Sequence, residues 1–158
     1  MKLDEIAKLA GVSCTTVSYV VNGKAKQYRV SDSTIAKVQA LIKKYDFKPN
    51  AMAASLRVGK SKTIGLIIPD FENISYAKIA NTLENRLREK GYQLLISCSN
   101  DHIENEQDCV KHLLQRQVDA LVVSSALPYE TDFYQNTDVP VIGFDRRIQS
   151  PNVVNVLT

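Results

Sequence analysis

At Thr63 the hydrophobic pattern of the chain changes, and that change constrains the fold more than any other feature. From there on, short continuous apolar runs alternate with amphipathic stretches of helical length. The runs are "KTIGLIIPD", "YQLLISCS", "DALVVSS", "VPVIGFD" and "NVVNVL". Residues 76–90 form an expected helix with Ile79, Ala80, Leu83 and Leu87 inward, and residues 104–117 a second with Val110, Leu113 and Leu114 inward. Strands apolar on both faces need cover on both faces, so the alternation predicts a parallel doubly wound α/β sheet. Before Thr63 there are no such runs, only helical spacings.

The first of these spacings is Leu3, Ile6, Ala7 and Ala10, one apolar stripe with Asp4 and Glu5 in the favourable first turn. Gly11 can take the positive φ that ends a helix, and Ser13 can cap the next. Helix, tight turn and helix make a helix-turn-helix unit. On the second helix Val17, Val20 and Val21 face Ala7, Ala10 and Val12. Cys14, Thr15, Ser18 and Tyr19 occupy the opposite face. A solvated face usually carries Lys and Glu. Small and hydrogen-bonding groups are what a helix reading a DNA major groove presents. Lys24, Lys26 and Arg29 in the following loop are placed for flanking phosphates. Ser31 caps a third helix whose apolar side is Ile35, Val38, Leu41, Ile42 and Tyr45. Pro49 cannot continue that helix, and Asn50 caps a short Ala-rich stretch over 51–57. Two turns of helix are marginal alone, so this stretch is either a linker or a segment that orders on a partner, with Leu56 as an apolar wedge.

Charge follows the same division. Through Lys62 there are 12 Lys and Arg against 4 Asp and Glu, and from Thr63 onward 8 against 13, so a first third of net +8 joins a remainder of −5. A basic head and an acidic body predict that only the head meets a polyanion. The three cysteines, Cys14, Cys98 and Cys109, include no C-x-x-C and fit a reducing compartment. Cys109 and His112 have a metal-pair spacing but lack two further ligands, and no metal or other cofactor is expected. The acidic N-terminus is unlike a secretory signal, and no apolar run is long enough for a membrane span, so a cytoplasmic protein without membrane partners is expected. No Ser-His-Asp grouping, P-loop or G-x-G-x-x-G motif is present, and no catalysis is expected.

In a parallel sheet, ligands sit beyond the strand C-termini. Asp70, Ser97, Ser99, Ser124, Ser125, Asp145 and Arg146 stand at or just past those ends. Asn73, Ser75 and Tyr76 stand at the mouth of the first helix after them, where an anionic group is favoured.

"LDEIAKLAGVSCTTVSYVVNG" and "VSDSTIAKVQALIKKYDFKPNAMAASLRVGKSKTIGLIIPD" resemble the lactose/galactose-repressor (LacI-type) family. "GKAKQYRVSD" and "HLLQRQVDALVVSS" are similar to its fructose-responsive branch. The resemblance implies a repressor-type transcription regulator of sugar metabolism, a homodimer on a near-palindromic operator. Cys14, Thr15 and Tyr19 would face bases, and Ser13, Thr16, Ser18, Asn22 and Tyr28 would support the helix or contact backbone. Residues 50–57 match the family's hinge helix, with Leu56 prying open the central base step, Ala53 permitting close approach of two such helices, and Asn50 and Arg57 at its ends. The branch carries arginine at the position of Cys14. An arginine there could bind guanine bidentately, a contact worth about 1–3 kcal/mol of discrimination, so either specificity has drifted or the neighbouring groups supply most of it.

The family also implies a sugar-phosphate effector such as fructose 1-phosphate, with Arg146 on the phosphate, Asp145 on sugar hydroxyls, and Asp70, Asn73, Ser75, Tyr76 and Ser124 around them. The division expected is a headpiece over 1–48, a hinge helix and linker over 49–62, and the first effector subdomain over 63–158. A second effector subdomain is expected to be missing, with weakened dimerisation and little sugar binding. Two rival readings are a small-molecule-binding α/β domain with an accessory basic head, and an inert or dominant-negative fragment.

Overall fold

The computed structural model describes residues 1–51, 53–54 and 59–157. The expectations for Leu56 and Arg57 therefore lie outside the described residues. The chain divides into two compact units, Met1–Ala54 and Ser55–Thr158.

The first unit begins with three helices, α1 (Leu3–Ala10), α2 (Cys14–Val21) and α3 (Asp32–Lys44). Gly11 takes φ 66°, ψ 33°, and the Val12 N–H then closes on the Ala7 carbonyl at 3.1 Å. Ser13 starts α2 two residues later by accepting from the Thr16 N–H at 3.1 Å. The β-branched residues of α2 do not prevent the helix. Their helix penalty is at most about 0.7 kcal/mol each, while burying one such side chain contributes about 1.5–3 kcal/mol. Val17 is fully buried and Val20 nearly so, against Ile6, Ala7, Ala10, Ala25 and Val38. Packing wins.

Ser31 caps α3 through the Thr34 N–H at 3.3 Å. Tyr45 departs from expectation: it is 40% exposed, at the C-cap, with the Lys44 ammonium 5.3 Å over its ring. Asp46 takes φ 46° and turns the chain back, so that Phe47 enters the core in its place.

The second unit is a five-stranded parallel sheet of order β2-β1-β3-β4-β5, with β1 Thr63–Ile68, β2 Gln93–Cys98, β3 Ala120–Val123, β4 Val141–Phe144 and β5 Val153–Val156. Two helices connect the first three strands, α4 (Ile74–Glu89) and α5 (Ile103–Gln115). The architecture is thus an α-helical head followed by a parallel α/β domain.

Alternation along β1 feeds two cores. Leu66 and Ile68 pack with Tyr76, Ala80 and Phe144. Ile67 packs with Val110, Leu113, Leu121, Val123, Tyr134 and Val141. A Cβ at Gly65 would lie 2.9 Å from both Leu113 Cδ1 and Leu121 Cδ2, so glycine there lets α5 lie close on the strand.

Both helices begin earlier than the spacing predicted, at Ile74 behind the Asn73 cap and at Ile103. Ile79 is a second correction. It is 37% exposed, because Tyr76, Ala80 and Leu83 form the inward stripe of α4 and Ile79 stands at its edge.

Candidate nucleic-acid interface and effector site

In the head, α2 presents Cys14 and Thr15 fully outward, with Ser18 and Tyr19 half-buried beside them. The other polar groups of this segment are engaged locally. The Thr16 hydroxyl lies 2.9 Å from Ser13 Oγ within the cap. Asn22 closes the helix, its Nδ2 donating to the Ser18 carbonyl at 2.9 Å and to Ser18 Oγ at 3.2 Å. The helix is thereby fixed at both ends, and Cys14 and Thr15 on its outward face are exposed.

The loop after α2 is compact. Lys24 N–H bonds the Tyr19 carbonyl at 2.8 Å, Tyr28 N–H bonds the Lys24 carbonyl at 3.2 Å, and Arg29 takes φ 57°. That winding lays the Tyr28 ring flat on Tyr19, with centroids 4.0 Å apart and planes 6° from parallel. The sequence assigned roles to both tyrosines but contains no signal for their stacking. Lys24, Lys26 and Arg29 are exposed around the pair. At the far end of the unit, Asn50 Oδ1 accepts from Ala53 N–H at 3.4 Å, capping a helical turn that includes exposed Ala53.

In the α/β unit the structure brings four of the seven expected residues together at the C-terminal edge of the sheet. The Tyr76 hydroxyl donates to Asp145 Oδ2 at 2.7 Å, and the Ser124 hydroxyl lies 3.3 Å from the first and 3.5 Å from the second. Burial raises the Tyr76 pKa, Asp145 adds to the rise, and the Ser124 hydrogen bond opposes it. Asp145 holds φ 63°, which turns the chain after β4 so that Arg146 follows along the same edge.

Arg146 is paired in two-pronged fashion with Asp101, Nη2 to Oδ2 at 3.2 Å, and its Nη1 also donates to the Ser125 carbonyl at 3.3 Å. The hydrogen bond between them, with the attraction of the opposite charges added and desolvation opposing both, holds Asp101 below the usual carboxylate range and raises Arg146.

Asp70, Asn73 and Ser75 serve the approach to α4 instead. Asp70 Oδ1 accepts from the N–H groups of Glu72 and Asn73 at 2.8 and 3.2 Å, and Asn73 Oδ1 from Ser75 N–H at 3.0 Å. Ser99 is wholly buried. Two participants escaped the sequence reading. Asp101 stands three residues past β2, beyond the strand end that directed attention. Glu106 looks like the solvated face of a helix, yet it is fully buried. No group of three or more His, Cys, Asp or Glu among the described residues is placed to hold a metal ion. Nor is any helix among them long and apolar enough to cross a membrane.

A basic helix-turn-helix head followed by a parallel α/β sheet, with a polar cluster beyond its strand ends, defines the class of helical-headed proteins built on a periplasmic-binding fold. Residues 2–50 match "Bacterial regulatory proteins, lacI family", and residues 61–157 match "Periplasmic binding proteins and sugar binding domain of LacI family". The chain belongs to the LacI family.

It is 56% identical to the catabolite repressor/activator of Escherichia coli (strain K12), over 99% of this chain and 48% of that protein. It thus spans about half the length of the curated relatives it matches. Among solved structures, the Cra transcriptional dual regulator of Pseudomonas putida in complex with fructose 1-phosphate aligns at TM-score 0.53 and 47% identity, over 55% of this chain and 33% of that one. The lac repressor dimer bound to operator and the anti-inducer ONPF aligns at TM-score 0.79 and 26% identity, over 98% and 48%.

Proposed function

We propose that this chain is a sequence-specific DNA-binding transcription regulator of sugar metabolism, of the repressor type, acting as a dimer on a near-palindromic operator. The outward face of α2 carries the reading. Cys14 and Thr15 stand exposed and Tyr19 is braced by Tyr28, on a helix held at both ends, in a first third, residues 1–62, of net +8. In this reading the cysteine thiol and the threonine methyl meet base edges, Tyr19 reads beside them, and Lys24, Lys26 and Arg29 meet phosphates. Residues 1–48 are the headpiece and 49–62 the hinge and linker, with Leu56 as wedge. Similarity to the catabolite repressor/activator supports the same reading.

The α/β unit, over 63–158, supplies one side of an effector site for a sugar phosphate of the fructose 1-phosphate kind. Arg146 takes the phosphate in exchange for the Asp101 carboxylate, which it already holds with a fork suited to either oxyanion. Asp145, Tyr76 and Ser124 meet sugar hydroxyls. The complex of the Pseudomonas putida relative with fructose 1-phosphate supports the choice of ligand.

Affinity measured against salt tests the first claim. With three phosphate-facing cations in each of two heads, the slope of log K on log salt should be about −5. A near-palindromic operator duplex should bind far more tightly than a scrambled one of equal length. Equal affinity for the two would overturn the reading. For the second claim, calorimetry with fructose 1-phosphate should give a weak heat whose affinity Arg146→Ala lowers; an affinity unchanged by the substitution would contradict the assignment.

A further inference from the structure

Among the described residues, Glu106 is the only charged side chain that is buried, and its exposure is 0%. A carboxylate withdrawn from water is costly unless hydrogen-bonded, and an apolar side chain at this point on α5 would simply join Val110 and Leu113 in the core. The oxygens of Glu106 have three donors. Oε1 accepts from Ser125 Oγ and from Tyr134 Oη, each at 2.6 Å, and Oε2 accepts from the Ala126 backbone N–H. Two of those donors belong to the turn leaving β3. Ser125 Oγ in addition accepts from Leu127 N–H at 3.1 Å, so one side chain on a helix fixes the turn over residues 125–127.

The outer side of the same turn belongs to the ligand edge. The Ser124 hydroxyl sits 3.3 Å from that of Tyr76, and the Ser125 carbonyl receives Arg146 Nη1 at 3.3 Å. We propose that Glu106 is a positioning residue for the anion site, holding the β3 exit turn so that the Ser125 carbonyl and Asp101 together orient the Arg146 guanidinium for a phosphate-bearing ligand. This rests on the effector reading of that edge. Tyr134 completes the arrangement from the far side of the carboxylate. Burial first, and the charge of Glu106 second, push its hydroxyl pKa upward, so it remains a donor. The link from α5 to Arg146 runs through hydrogen bonds alone, with no contact between Glu106 and ligand required.

Nitrogen-15 NMR of the full 158-residue chain reads the orientation without any ligand. In the parent chain the Arg146 guanidinium should give separate, slowly exchanging Nη signals. Glu106→Gln turns one acceptor into a donor facing donors, and should merge those signals while leaving the amides of β1 and β2 in place. Glu106→Asp keeps the charge and should restore them in part, which a purely space-filling role would not. Affinity for fructose 1-phosphate should fall about tenfold in Glu106→Gln, the equivalent of one well-made hydrogen bond.

Arg146 signals unchanged in Glu106→Gln, alongside a shifted Ala126 amide, would overturn the proposal. Should that variant fail to fold, Ser125→Ala removes only the bridging hydroxyl. It should loosen Arg146, and an unchanged Arg146 there would be equally fatal. A parent chain with ordered Arg146, loosened by Glu106→Gln, but with no response to fructose 1-phosphate would remove the effector reading and leave the hold of Glu106 on Arg146 standing.

Discussion

The two polar surfaces of this protein are prepared in opposite ways. On α2 the groups that serve the helix, Ser13, Thr16 and Asn22, bond to one another and to the backbone, while Cys14 and Thr15 face outward. At the edge of the sheet the candidate ligand groups bond to each other, Tyr76 to Asp145 and Arg146 to Asp101. The first surface can meet a partner without rearrangement. The second holds its own internal substitutes for a ligand, so binding there is an exchange of partners and its affinity is a difference. An open face favours fast, salt-dependent encounter with a polyanion. A self-satisfied cluster favours selectivity, since only a ligand that replaces every bond lost is accepted.

The contrast breaks most severely with Val17→Asp. A charge placed in the fully buried centre of the head should unfold that unit and abolish operator binding, because an unpaired buried carboxylate costs about 3–5 kcal/mol. Amide signals of residues 63–157 should stay, and a collapse of those too would contradict the division into two units. Next comes Arg146→Ala. Losing a charge-assisted fork is worth about 1.5–3 kcal/mol, so fructose 1-phosphate affinity should drop roughly 10- to 150-fold by calorimetry.

The same variant tests the internal exchange by titration. Asp101 is held below the usual carboxylate range by Arg146, so the pair is intact at neutral pH and is lost only as pH falls through that lowered value. In Arg146→Ala the Asp101 carboxyl signal should titrate at a higher pH than in the parent. An unmoved titration would mean the pair does not form in solution.

Smaller effects belong to the braced tyrosines. Stacked rings are worth about 0.5–1.5 kcal/mol beyond area. Tyr28→Ala should therefore weaken operator binding about 2- to 12-fold in an anisotropy titration, and Tyr28→Phe should restore most of it. If Phe behaves like Ala, the Tyr28 hydroxyl contacts DNA directly and the bracing role is the lesser one.

Much of the fold was legible because its signals are local. Gly11, Ser13 and Ser31 mark helix ends through their own backbone and side-chain chemistry, and unbroken apolar runs announce buried parallel strands. The failures share one cause. Tyr45 and Phe47 are equally apolar, and only the left-handed turn at Asp46 decides which of them reaches the core. Glu106 has the spacing of a solvated helix residue, and its burial depends on Ser125, Ala126 and Tyr134, which lie 19, 20 and 28 positions away. Within the candidate site, the strand ends and the first turn of α4 pointed to Tyr76, Ser124, Asp145 and Arg146, which lie together at the sheet edge. Asp101 was not, since its role exists only through a pairing 45 residues distant. Residues whose neighbours are set by the whole sheet carry no mark in their own segment.

Cys14 offers the most direct test of the central claim, because it is exposed on the face assigned to the groove, whereas Cys98 and Cys109 are partly buried and have thiol pKa values raised by burial. In the free protein Cys14 should alkylate first. A near-palindromic operator duplex should slow that reaction by at least about tenfold, as expected for a site occluded in the bound state, while a scrambled duplex at the same concentration should protect it little. Cys14 alkylating at the same rate with operator, with scrambled duplex and with none, under conditions where the operator is bound, would show that α2 does not enter the groove and that this account of the protein is wrong.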